Sequence, residues 1–116
     1  MNYDLKEALR DYIKLLNQEA YLDAHEALEE AWHPLRLSNH PLKNLVKGLI
    51  NAAIAFEHLK RNRDNAEHRA LKVIASYERH KHLVRYGIVN YELFEEAIQK
   101  VETIKKQHTF FKLTMI

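Results

Sequence analysis

Apolar residues recur at intervals of three and four through most of the chain, and that period divides it into five helices. Leu5, Leu9, Tyr12, Ile13 and Leu16 form one stripe across residues 3 to 18, with Lys6, Glu7, Arg10, Asp11 and Lys14 opposite. This is the pattern of an amphipathic first helix. Asn17 and Gln18 mark its end, and a second helix is predicted over residues 20 to 32. Pro34 is expected to stop that helix, because proline lacks an N–H donor and disfavours the helical region for the residue before it. Residues 33 to 41, with a proline towards each end, then form the longest connection.

The third helix, residues 42 to 61, carries the widest apolar surface. Leu45, Leu49, Ala52, Ala53, Phe56 and Leu59 lie on one face, and Val46, Ile50 and Ile54 widen it. It is expected to be central and buried on more than one side. Gly48 costs about 1 kcal/mol of helix propensity relative to Ala, and close packing of a neighbouring helix against it is the expected compensation. Asn62 to Asn65 is a turn of residues that tolerate left-handed backbone. A fourth helix is predicted over residues 66 to 86 on Ala70, Val73, Ile74, Tyr77 and Val84, with Gly87 as its left-handed stop. Asn90 is expected to cap a fifth helix, whose face is Phe94, Ala97, Ile98, Val101 and Ile104. The apolar tail, residues 107 to 116 with Phe110, Phe111, Leu113, Met115 and Ile116, either folds back on the bundle of residues 1 to 106 or meets a second copy as a homodimer.

Composition supports this pattern. In 116 residues there are two glycines and two prolines, the usage of a single all-α domain with short connections and mainly antiparallel neighbours. There are no cysteines, so disulfides, thiolate metal sites and cysteine nucleophiles are excluded. The first residues lack a basic segment followed by an apolar one, and no apolar run reaches the roughly 20 residues that cross a bilayer. A cytoplasmic protein without a membrane partner is the expectation.

The formal charge of +2 is unevenly spread. Residues 19 to 30 hold five acids and no Lys or Arg, whereas residues 60 to 85 hold eight Lys or Arg against Asp64, Glu67 and Glu78. The basic stretch reads as a solvated helix face rather than a nucleic-acid surface, since aromatic residues are not interleaved for stacking on bases. No recognition helix for DNA stands out.

Candidate chemistry concentrates in the second helix. Residues 24 to 32 place His25, Glu29 and the single tryptophan, Trp32, on one stripe, with Leu28 one turn from His25. His25-Glu26-Ala27-Leu28-Glu29 is one residue away from the His-Glu-x-x-His helix of zinc hydrolases, with Glu29 in the place of the second histidine. A carboxylate also ligates zinc. His58, on a stripe of the third helix with Asn51 and Ala55, is the best third donor. If that stripe faces the second helix, His25, Glu29, Trp32, Asn51 and His58 line one polar and aromatic pocket. Two uses of the pocket follow: binding of a small molecule or protein of unknown identity, or metal-dependent hydrolysis with His25, Glu29 and His58 as ligands and Glu26 as general base. A third reading is a satisfied hydrogen-bonded network that rigidifies the helix contact. The pattern names no cofactor.

Other chemistries lack their parts. A di-iron carboxylate site needs paired Glu-x-x-His motifs, and the chain offers one, at residues 30 to 33. His80 and His82 are two apart and point to different sides of a helix; they read as solvated, as do His33 and His40. Ser38 and Ser76 lie in no nucleophile-elbow sequence, and there is no glycine-rich phosphate loop.

Residues 21 to 32, Tyr-Leu-Asp-Ala-His-Glu-Ala-Leu-Glu-Glu-Ala-Trp, and residues 47 to 59, from Lys47-Gly48-Leu49-Ile50 through His58-Leu59, carry a resemblance. The chain resembles the small bacterial and archaeal family catalogued as domain-of-unknown-function family 309. That family is marked by an aromatic-acidic-Ala-His-Glu-x-x-Glu-x-x-Trp helix and a Gly-Leu-Ile helix ending in His. The resemblance spans about residues 5 to 100. It implies a compact helical bundle and makes His25, Glu26, Glu29, Trp32 and His58 the motif positions. It implies no activity. Where the family tends to have glycines after the third helix, this chain has Asn62 and Asn65, which can take the same left-handed conformation.

Overall fold

The computed structural model describes residues 4–108 and Phe111. Five α-helices account for most of these residues: α1 Leu5–Asn17, α2 Tyr21–Leu37, α3 Lys43–Arg61, α4 Ala66–His80 and α5 Tyr91–Lys106, with a 3-10 turn at Lys81–Leu83. Among the described residues there is no strand, and no helix is long and apolar enough to cross a membrane.

α3 is the central element, as its wide apolar surface predicts. Leu45, Val46, Leu49, Ile50, Ala52, Ala53 and Phe56 are all buried, and the helix packs most extensively on α4 and then on α2. α1 lies across α2 and α5 and is tied to α3 by Tyr12, whose buried hydroxyl donates to the Leu49 carbonyl at 2.6 Å. Burial pushes the Tyr12 phenol far above its usual pKa, so it remains a donor throughout the accessible pH range.

Gly48 marks the closest helix approach. A Cβ built there would stand 2.9 Å from the Tyr77 Cα and 3.4 Å from the Ser76 carbonyl oxygen. Both are backbone atoms, which cannot turn aside as a flexible side chain can. Gly48→Ala sets about 1 kcal/mol of gained helix propensity against an overpacking cost of about 1–3 kcal/mol. The clash is with backbone, so the second effect wins. Thermal unfolding should show the variant melting about 4 °C lower; a higher melting temperature would mean that α4 is free to retreat.

Three expected boundaries are corrected. Pro34 does not end α2; it lies inside it, and the helix runs one turn further to Leu37. Proline forfeits only its own donor, while its carbonyl still accepts from the Ser38 N–H at 3.1 Å. The true stop is Asn39, at φ 54°, and the connection shrinks to residues 38 to 42. His40 is not merely solvated there: its Nδ1 accepts from the Leu42 N–H at 3.0 Å and fixes the entry to α3.

The fourth helix ends at His80 rather than near residue 86. The chain tightens at Lys81, becomes extended at Val84, and turns Leu83, Val84 and Ile88 onto the core. Gly87 does adopt a positive φ, 102°, but in the following loop. Asn90 precedes α5 with left-handed backbone and makes no side-chain capping bond. Asn62 and Asn65 occupy left-handed positions, at φ 49° and 62°, as their side chains allow.

α4 and α5 are joined by ionic contacts. Lys105, 4 % exposed, reaches Glu78 at 2.5 Å and Glu102 at 3.3 Å. Lys81 reaches the same two carboxylates at 3.1 and 3.3 Å, and the Tyr77 hydroxyl donates to Glu102 at 2.5 Å. Phe111 is buried with its ring centroid 6.4 Å from that of Phe56. Phe110, Leu113, Met115 and Ile116 lie outside the described residues.

Candidate functional site

The motif helix forms the predicted pair. His25 Nε2 lies 2.5 Å from Glu29 Oε2, with the two side chains 20 % and 35 % exposed. The i, i+4 spacing brings them together on one face. His25 Nδ1 is buried and, among the described residues, has no hydrogen-bond partner. A buried nitrogen left so is costly, and the usual remedy is a water or ligand atom.

Glu26 does not share this face. It is exposed and lines a cleft of about 300 Å³ between α1 and α2 with Asp11, Asp23 and Glu30. Successive residues of a helix diverge by about 100°, and Glu26 makes no contact with the His25–Glu29 pair.

Asn51 is also redirected. Its Nδ2 donates to Ser76 Oγ at 2.6 Å, which places it at the α3–α4 contact rather than opposite α2. His58 lies on the same helical stripe, seven residues on, and among the described residues its ring makes no hydrogen bond or ion pair. The α2 side of α3 is built instead by Phe56, whose ring centroid is 5.6 Å from that of Tyr21, and by Lys43 and Lys47 beside Trp32. No group of three His, Asp or Glu side chains placed to hold a metal occurs among the described residues. The ligand set His25, Glu29 and His58 is not assembled.

What the structure does assemble is a platform around Trp32. The indole Nε1–H donates to the Lys43 carbonyl at 3.1 Å, which locks the half-buried ring across the connection between α2 and α3. The Lys47 ammonium stands 4.3 Å from the ring centroid and the Arg36 guanidinium 5.3 Å, both within cation–π range. The His33 ring is tilted by 51° against the indole, with centroids 5.4 Å apart. Neither Arg36 nor Lys47 meets a carboxylate among the described residues. The platform exists because α2 continues past Pro34: Arg36 is on the extra turn, one turn beyond Trp32.

Sequence reasoning missed Arg36, Lys43 and Lys47. The i, i+4 spacing of Trp32 and Arg36 was a usable signal once the helix is carried through Pro34. Lys47 is brought in by the fold of residues 38 to 42 and has no local signal.

These features define an all-α module whose best-formed polar and aromatic surface lies along the α2–α3 contact. Residues 9–69 match the family described as a domain of unknown function, DUF309, and the chain belongs to that family. The match is shorter than the span the motifs imply; it takes in all of α2 and α3 and leaves out α5. Comparisons with curated proteins and with solved structures give no match.

Proposed function

We propose that the chain is a binding module that takes a ligand bearing carboxylate groups on the outer face of the α2–α3 contact. The observation that carries this reading is Trp32, an anchored aromatic ring flanked by two cations that meet no carboxylate among the described residues. An aromatic face supplies apolar contact area at low entropic cost, and unpaired cations beside it supply selectivity for anions. The His25–Glu29 pair lies on the same stripe of α2.

A tri-glutamate peptide is a suitable probe. Calorimetric titration at low salt should show saturable binding, weakened about fivefold by Lys47→Gln, the size of a partly exposed ion pair. Lys14→Gln, which removes the same charge from an exposed position on α1, should leave the affinity within a factor of two. Equal losses from both variants would reduce the effect to net charge and remove the platform from the account.

A further inference from the structure

Beside Phe111, α4 and Lys105 of α5 line an open cavity of about 460 Å³, within the range of small-molecule sites. Its wall is apolar, made by Leu71, Ile74, Ala75 and Phe111, and its other end holds Glu78, Arg79 and Lys105. All of these residues lie beyond the span matched to the family.

The polar end is unevenly charged. Lys105 and Lys81 each contact both Glu78 and Glu102, so two cations share two carboxylates. Arg79 adds a third cation and makes no ion pair among the described residues. It sits at the exposed mouth, while the Lys105 ammonium lies deep in the wall. Among the described residues, three cations against two carboxylates leave one positive charge at the edge of the apolar wall, available to an anion with the strength of a solvent-exposed ion pair. A planar guanidinium is the side chain best shaped to hold a carboxylate by two parallel hydrogen bonds.

We propose that this cavity binds a small monocarboxylate with an apolar chain, its carboxylate on the Arg79 guanidinium at the mouth and its chain against Leu71, Ile74, Ala75 and Phe111. The chamber accounts for the chain and the surplus cation for the head group. Glu78 does not repel the ligand strongly, because Lys81 and Lys105 already neutralise it.

Sodium octanoate and 1-octanol, equal in chain length and different in charge, test this on the full chain by methyl and amide NMR titration. Octanoate should shift the Leu71, Ile74 and Ala75 signals saturably and bind about fivefold more tightly than octanol. Arg79→Gln should bring the two ligands to equal affinity without changing the melting temperature, since Arg79 is exposed. Equal affinities in the wild type, or an octanoate affinity untouched by Arg79→Gln, would overturn the assignment of the head group. Absence of any shift would overturn the site. So would nuclear Overhauser contacts from Leu71 and Ile74 to Leu113 or Met115 that octanoate does not displace, because the chain itself would then fill the chamber.

Discussion

Phe56→Ala is expected to lower the unfolding free energy by about 3–5 kcal/mol, the cost of truncating a fully buried aromatic. Phe56 is 1 % exposed and stands where three parts of the chain meet: its ring is tilted against Tyr21 at the start of α2 and edge-on to Phe111 beyond α5. The substitution removes apolar area, two aromatic contacts worth about 0.5–1.5 kcal/mol each, and the filling of a space that rigid helices cannot collapse into. Domains of this size are stable by about 5–15 kcal/mol, so the variant should sit near the edge of folding. Urea denaturation gives the number. A loss below 1 kcal/mol would mean that neither α2 nor Phe111 leans on this side chain.

Lys105→Met should cost about 2–3 kcal/mol at neutral pH. Breaking a buried pair by removing one partner costs about 3–5 kcal/mol, and the lower figure applies because Glu78 and Glu102 are a quarter to a third exposed and Lys81 still neutralises part of their charge. The pH dependence supplies an independent check. Burial alone would raise the Glu102 pKa, but the Tyr77 hydroxyl and the Lys105 and Lys81 ammonium groups outweigh it and hold the carboxyl below its ordinary value of 4.5. A carboxyl whose folded pKa is depressed contributes stability that is complete above its unfolded pKa and is lost as pH falls through the folded one. The wild type should therefore lose this contribution as the pH drops below about 4.5. Lys105→Met, with one cation fewer beside Glu102, should lose less over the same interval. Parallel acid limbs for the two proteins would contradict the role given to Lys105.

The helical period made the faces of the helices legible but not their partners. Leu49, Ala52, Ala53 and Phe56 could be read as core, and Gly48 as a point of close approach, because a face depends only on spacing along one helix. Asn51 shows where that reasoning stops. It lies at the margin between two faces, and whether it meets α2 or α4 depends on how α3 is rotated, which is decided by contacts such as Tyr77 against Gly48. His58 shares its stripe and its fate.

The His25–Glu29 contact was legible because both residues are on one helix. Trp32 with Lys47, and Lys105 with Glu78, were not, since each pair is closed by chain folding between helices. Pro34 misled for a different reason: the rule that proline ends a helix weighs a lost hydrogen bond, and here the turn that follows retains its own. That extra turn carries Arg36 and sets its guanidinium beside Trp32.

Trp32 is the only tryptophan and lies at the centre of the proposed contact, so its emission tests that proposal directly. Titration with a tri-glutamate peptide at low salt should change the intensity and wavelength of Trp32 emission along a saturable curve, with the midpoint raised about fivefold in Lys47→Gln. A saturable binding isotherm by calorimetry with no change in Trp32 emission would place the ligand elsewhere on the molecule and contradict the account.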